Sequence, residues 1–458
     1  MASTTNRNGP VSTAGSAAPL LLRGGTVIDG TGRPPQPATD VLIVDGRIAA
    51  VGGASNAAAA NPSTAIETVD CAGLTVMPGL IDAHCHISFG EPQSNDELFF
   101  HRPQTTSALL AAFNVRKLLL AGVTGFLDAD CIFDIGPSLR DAIEAGVVEG
   151  PRMRSGMNAL LTTAGGTAGR LIPESGTLGY ARVVGDRDEM VKATRQQIKQ
   201  GADWIKIHVT GLVPGRSGEQ SVWSPGELAA VVDAAHQLDT PAVAHCRSAE
   251  STLMAAQAGV DLILHGSFMD EPALEAVVAS GAALCPTFTF LANLVDHGAK
   301  VGAATSQVDL FRGEISATAA MMRRAHDAGV KLLTGSESGF SLTPYGHWHA
   351  RELELFVTEL GLTPLEAITC ATANGALALR MQGAIGTVEE AMAADVIVVA
   401  GDPSTDITVL GDRSNLRHVI SRGRTVDISG PWPERRPLPG EKVSMWSTEP
   451  LTRDASLK

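Results

Sequence analysis

Between residues 19 and 75 the chain alternates short apolar runs with turn residues. Leu20-Leu21-Leu22-Arg23 meets a Gly24-Gly25 break before Thr26-Val27-Ile28, and Val41-Leu42-Ile43-Val44 and Arg47-Ile48-Ala49-Ala50-Val51 flank Asp45-Gly46. Asp-Gly between two apolar runs predicts a β-hairpin. Similar β patterning returns near the C-terminus, in Asp395-Val396-Ile397-Val398-Val399 and His418 to Arg424. In between, strand-like runs alternate with helical patterns: Ser107 to Ala121 precedes Gly122-Val123-Thr124, and Asp188 to Gln200 precedes Gly201-Ala202-Asp203. Repeated strand-then-helix units predict a parallel sheet in an α/β fold. No internal sequence repeat is evident.

Several strand-like runs end in side chains that carry chemistry. Pro78-Gly79-Leu80-Ile81-Asp82-Ala83 leads into His84-Cys85-His86. Side chains alternate faces along a strand, so His84 and His86 share a side, as two ligands of one metal must, while Cys85 points away. Alone, such a pair reads more readily as a polar strand end. Three further runs raise the specificity: Trp204-Ile205-Lys206-Ile207-His208, Ala242-Val243-Ala244-His245 and Leu262-Ile263-Leu264-His265. Val330-Lys331-Leu332-Leu333-Thr334 then enters Gly335-Ser336-Glu337-Ser338-Gly339. Strands ending in ligands and acid-base groups are what a (β/α)8 barrel presents at its C-terminal face.

The 458 residues are 44% hydrophobic and 18% charged, enough for a large core without disulfide staples. Six cysteines without regular spacing read as reduced thiols of a cytoplasmic protein. A net charge of −14 with no basic stripe argues against nucleic acid or anionic membrane as partners. The first eighteen residues, rich in Ser, Thr, Ala, Gly and Asn, lack an apolar segment fit for a signal peptide and are expected to be disordered. The tail after Gly430 holds five prolines by Pro450 and reads as an extended wrap or a subunit contact.

The order His84-x-His86, Lys206, His245, His265 and an acidic residue resembles the amidohydrolase superfamily. The approach Pro78 to His86 and the late stretch from Thr363-Pro364-Leu365-Glu366-Ala367 to Ala394-Asp395-Val396-Ile397-Val398 share that resemblance. The chain looks closest to the branch of imidazolonepropionase-like and Xaa-Pro dipeptidase-like enzymes and some hydrolases of carbamate and urea herbicides. The resemblance covers roughly residues 20 to 430. It implies a (β/α)8 TIM barrel at 76–382, with a small β-sandwich domain built from 19–75 and 383–430, a disordered 1–18 and a C-terminal tail 431–458.

By that resemblance, His84 and His86 bind one divalent metal and His245 and His265 a second, with a carboxylated Lys206 as bridge. Carboxylation requires a neutral amine, for which apolar neighbours such as Ile205 and Ile207 are suitable surroundings; the plain alternative is a lysine at a strand end. Glu337 is a departure, because relatives carry aspartate in Gly-Thr-Asp-Ser-Gly at this place. Its carboxylate still offers a metal ligand and a base, one methylene longer; the alternative is a helix cap, which Ser336 or Ser338 would serve equally well. One or two metals are expected, zinc first, with cobalt, manganese or iron compatible. Water acidified by the metal would attack a polarised carbonyl, with Glu337 taking the water proton and returning it to the leaving nitrogen.

Substrate contacts are expected from His208, which shares a strand face with Lys206, and from His101, Arg102, Tyr345 and His349 in βα loops. His347 belongs to the same loop cluster. Phe99, Phe100, Phe288 and Phe290 are candidates for an apolar wall, and Arg102, Arg170 or Arg216 for a carboxylate clamp. Thr162 to Thr167 lacks the histidine of the Gly-Gly-His that relatives often carry there. The expected activity is hydrolysis of a C–N bond of an amide, carbamate or urea in a small molecule, including xenobiotics, by a homo-oligomer. An Xaa-Pro-type dipeptidase and a non-catalytic assembly protein of the same fold are the alternatives.

Overall fold

The computed structural model describes residues 18–53, 66–92, 103–167, 169, 179–301, 304–436, 438 and 451–456. The disorder expected at the N-terminus falls, apart from residue 18, outside the described residues. Seven strands of the barrel are Leu80–Cys85, Val123–Asp128, Arg152–Ser155, Ile205–His208, Ala242–Cys246, Leu262–His265 and Ala283–Cys285. All pair in parallel within their sheets. The carbonyl of Ser155 accepts from the N–H groups of Asp203 and Trp204, joining the third strand to the fourth. The run Lys331 to Thr334 is the eighth: it bridges Leu284 on one side, and Thr334 accepts from the N–H of Ala83 on the other at 2.8 Å. Backbone hydrogen bonds therefore carry the ring round from first strand to last.

Strands covered on both faces need apolar residues on both, which is why these runs look continuous rather than alternating. Val243, Leu262, Leu264, Ala283, Cys285 and Leu333 form one cluster with Trp204 and Ala378, while Ile205, Ile207, Ala244 and Ile263 pack into the larger core. Helices such as Gln104–Leu119, Arg187–Lys199 and Pro225–His236 follow the strands. Pro225–His236 begins with a Ser224/Glu227 capping box and proline in its first turn, which satisfies N–H groups that lack helical partners.

The N- and C-terminal segments meet in one eight-stranded sheet, the small domain beside the barrel. Its order is Arg424–Val426, Leu416–Ser421, Val396–Ala400, Leu74–Pro78, Leu20–Val27, Gln36–Val44 and Arg47–Val51, with Glu67–Asp70 also paired to Leu20–Val27. The alternation of strand faces sorts its residues: Val76, Val396, Val398 and Ile420 fill the domain's own core, whereas Met77, Ile397, Val399 and Val419 face the barrel. Asp45 and Gly46 take φ of 49° and 77°, the left-handed turn that the hairpin requires. Two expectations shift. Gly24-Gly25 does not end a strand; it is an irregularity within Leu20–Val27. The sheet also runs to Pro78, three residues past the expected boundary at 75, because Leu74–Pro78 pairs with Val396–Ala400.

Part of the tail lies across its own chain. Leu451 donates its N–H to the Ser341 carbonyl at 2.9 Å, and Trp348 Nε1 donates to the Leu451 carbonyl at 2.7 Å. Among the described residues no helix is long and apolar enough to cross a membrane.

Candidate functional site

The strand ends converge on one cavity. One ligand atom from each of His84, His86 and Glu337 lies within 4.8 Å of the others. Ring centroids of His84 and His86 are 4.9 Å apart, those of His84 and His265 5.2 Å, and those of His245 and His265 4.5 Å. Lys206 is buried on the same wall, and the cavity measures about 680 Å³. Along Leu262-Ile263-Leu264 the alternation would send His265 to the side of Ile263. Its backbone instead takes φ of 65°, a strained conformation for a residue with a Cβ, and the ring meets His84 and His245.

The hydrogen bonds of the rings decide which nitrogens are free. His84 Nδ1 is 3.0 Å from Thr287 Oγ1, and His86 Nδ1 bonds to the Asp130 carbonyl at 3.3 Å with Asp130 Oδ1 2.9 Å away, so each leaves Nε2 for a cation. His245 uses Nε2, 2.8 Å from Glu219 Oε2, which leaves Nδ1. His265 Nε2 is buried with no hydrogen-bond partner. Buried polar atoms ordinarily find partners, and an orphaned imidazole nitrogen among other imidazoles and a carboxylate fits a divalent cation. Burial, then the Lys206 cation, lowers His84 well below 6.5; burial, then His245, does the same to His265. Both imidazoles are thus neutral, as ligands must be.

Glu337 is half-buried and lines the cavity. Burial pushes its carboxyl above the usual range against the opposing pull of His86, His245 and Arg247. It sits in no helix: its φ is 55°, its N–H donates to the His84 carbonyl at 2.7 Å, and its own carbonyl accepts from Thr343 Oγ1 at 2.7 Å. The flanking Ser336 serves Asp82 and Ser338 bonds to Ser336 Oγ, so neither caps a helix. Asp82 Oδ1 accepts from the N–H groups of His84 and Ser336 at 3.0 and 3.1 Å, and Oδ2 accepts from Ser336 Oγ and His349 Nδ1. One buried carboxylate therefore ties the His84 strand to the turn that carries Glu337.

Several expected substrate contacts stand elsewhere. Tyr345 is fully buried behind the site, donating its hydroxyl to the His86 carbonyl and accepting from the N–H of Gly90. His349 is held against Asp82 at 2.6 Å, and its Nε2 accepts from the N–H of Gly346. Neither lines the cavity, because both belong to a loop that packs beneath the strand ends. His347 lies beside Trp432, Phe288 is core, and Arg216 is on an exposed hairpin tip. His208 and Phe290 do line the cavity, His208 bonded through Nε2 to Asp130 at 3.2 Å and lowered to about 4, chiefly by burial. Thr167 lines it where the Gly-Gly-His histidine was missed, its hydroxyl 3.0 Å from that of Tyr180. His101, Arg102, Arg170, Phe99 and Phe100 lie outside the described residues.

The site also holds groups that the sequence reading passed over. Asp130 touches His86, His208 and, at 3.6 Å, Lys206 Nζ. Burial alone would raise it, but the charges of Lys206 and His86 hold it well below the usual carboxylate range. Glu219 is held down to about 2: burial opposes, and His245 and Arg247 prevail. Arg247 is paired with Glu314 at 2.6 Å and Glu219 at 3.4 Å. Asp128-x-Asp130 and His245-x-Arg247 repeat the strand-end spacing of His84-x-His86, so that signal was present. Glu314, inside helix Thr305–Asp327, carried none.

Residues 75–426 match the model of the amidohydrolase family. Ochratoxinase of Aspergillus niger is 29% identical over 93% of this chain and 90% of its own length. Its crystal structure aligns with a TM-score of 0.78 at 26% identity, covering 90% of this chain and 96% of that one. A prolidase crystallised with N-methylphosphonate-L-proline gives a TM-score of 0.76 at 28% identity, over 89% and 99% of the two chains. Molinate hydrolase, at 23% identity and a TM-score of 0.73 over 92% and 98%, shares the fold.

Proposed function

Since the chain belongs to the amidohydrolase family and is a hydrolytic enzyme, we propose that it cleaves a C–N bond of an amide, carbamate or urea in a largely apolar small molecule with the help of one or two divalent metals. The observation that carries this is the orphaned Nε2 of His265 among converging imidazoles and the Glu337 carboxylate. His84 and His86 through Nε2, His245 through Nδ1, and His265 and Glu337 would hold the cation, zinc in first place, with Lys206 able to contribute once carboxylated. When bound, a divalent cation supplies Lewis acidity that acidifies water and polarises a carbonyl.

The protein's own groups do the rest. Glu337, its carboxyl raised chiefly by desolvation, takes a proton from water and delivers it to the leaving nitrogen. Tyr180, raised well above 10 chiefly by burial, stays a hydroxyl donor on the cavity wall. Phe89, Phe290, Phe311 and Phe340 line the cavity, which suits an aromatic or aliphatic substrate and excludes water. Ionic clamping of a free substrate carboxylate is poorly served, because Arg247 is already engaged by two glutamates.

An Xaa-Pro-type dipeptidase is the second reading, favoured by the likeness to a prolidase. The non-catalytic alternative has no support from the family's hydrolases. Six buried, unpaired thiols agree with a cytoplasmic setting, and a homo-oligomer without nucleic acid or membrane partners completes the proposal. Elemental analysis of protein purified without chelator tests it. Metal near two equivalents supports a binuclear centre bridged through Lys206, and near one a mononuclear site. None, even after zinc, cobalt or manganese is added, overturns the reading. A panel of aryl amides, carbamates and ureas against Xaa-Pro dipeptides then separates the two substrate classes.

A further inference from the structure

The antiparallel hairpin Thr210–Leu212 and Glu219–Ser221 follows the fourth barrel strand and pairs Leu212 with Glu219. Its Glu219 side chain reaches the expected ligand His245. The Glu219 side chain is 8% exposed; its Oε2 accepts from His245 Nε2 at 2.8 Å and from Thr210 Oγ1 at 2.6 Å. Its Oε1 lies 3.4 Å from Arg247 Nη1. Arg247 is itself fixed: Nη2 and Nε donate to Glu314 at 2.6 and 3.1 Å, and Glu314 Oε1 accepts from Ser267 Oγ at 2.7 Å. Ser267 stands two residues after His265, so the chain of contacts begins at one expected ligand and ends beside another.

A carboxylate engaged by an arginine offers only acceptor oxygens. The proton between Glu219 and His245 therefore belongs to Nε2, and the lone pair of the ring belongs to Nδ1. A histidine without such a partner divides between two tautomers and several ring orientations, and only part of that population can bind a cation. We infer that Glu219 is a positioning residue: through its contact with His245 Nε2 it fixes the tautomer and aim of that ring, and so makes metal affinity depend on the seating of the hairpin. The inference rests on the reading of His245 as a ligand. The same hairpin contributes Leu212, Ser217 and Gly218 to the cavity wall, so one element serves both the metal and the substrate space.

The test compares full-length wild type, Glu219→Gln, Glu219→Leu and, as a control on the same strand, Gln220→Ala. Zinc dissociation constants are measured by competition with a chromophoric chelator, and the tautomer of His245 is read from its ring ¹⁵N shifts in the metal-free protein. Loss of such an outer partner weakens metal binding about 10- to 100-fold. Glu219→Leu should show that loss with mixed tautomers at His245, and Glu219→Gln, which keeps an acceptor oxygen, should fall between it and wild type. Gln220→Ala should bind zinc as wild type does. Unchanged affinity in Glu219→Leu, or an Nε2–H tautomer at His245 that persists there, overturns the inference while leaving the metal reading intact. If Glu219→Leu fails to fold, Glu219→Gln decides: wild-type affinity and tautomer overturn the inference. A wild type that binds no zinc overturns the ligand assignment beneath it.

Discussion

Replacing Asp82 by Ala should be among the more damaging single changes in the molecule, although Asp82 does not line the cavity. Its carboxylate accepts from the N–H groups of His84 and Ser336, from Ser336 Oγ and from His349 Nδ1. Ser336 Oγ and His349 Nδ1 are 3.2 Å apart and can partly satisfy each other after the change. The two backbone N–H groups cannot, and each stranded donor costs about 1–3 kcal/mol. The expected loss is thus about 4 kcal/mol, a large part of the 5–15 kcal/mol typical of a folded domain. Asp82→Asn should cost less than Ala but not restore wild type, because its NH₂ must face donors. The assay is urea denaturation followed by two probes, so that the transition is tested for two-state behaviour before a free energy is taken. Bound zinc is measured alongside, since the His84 and Glu337 segments are both moored to Asp82. A loss below about 1 kcal/mol in Asp82→Ala, the worth of one ordinary hydrogen bond, would refute the reasoning.

Glu337→Gln should retain zinc and lose turnover by about 10²- to 10⁴-fold, and full activity would remove Glu337 as the base. In the metal-free protein, the stability difference between wild type and His265→Asn should move against wild type as pH falls below 6.5. There the unfolded chain binds a proton that the folded imidazole, lowered by burial, refuses. The slope is about 1.4 kcal/mol per pH unit until the folded value is reached. Urea midpoints of both proteins from neutral pH to about 5.5 check this, and a difference independent of pH sinks it. Gly156→Ala would bring a Cβ to 2.0 Å from the Ala129 carbonyl oxygen and 3.3 Å from Lys206 Cβ. Backbone has to move, so a cost of about 1–3 kcal/mol or more is expected, seen as a lowered melting temperature together with weaker zinc binding.

The ligand candidates were legible because each sits at the end of a short apolar run, where local alternation decides the face. His84, His86, Lys206, His208 and His245 obey that rule. His265 reaches the same cavity only because its backbone leaves the alternation at φ of 65°. Tyr345 and His349 illustrate the opposite failure. Both were expected against substrate because their loop follows a strand end, yet that loop folds under the site and binds the backbone of His86 and the carboxylate of Asp82. Loop direction depends on what the rest of the chain leaves open, and no local pattern encodes it.

The sequence by itself determined the order of strands and helices, the Asp45-Gly46 hairpin, the meeting of both chain ends in one domain through family resemblance, and the donor types at the strand ends. These follow from residue propensity and from the two-residue repeat, which act over a few neighbours. Tertiary structure alone decided which donors share a centre and which nitrogen each imidazole presents. Ring closure brings Asp130 to His86, Glu219 to His245, and Glu314 to Arg247 across separations of 44, 26 and 67 residues. Such contacts form only when the enclosed core fixes the distance between elements, and their energies belong to pairs that the linear chain does not place side by side.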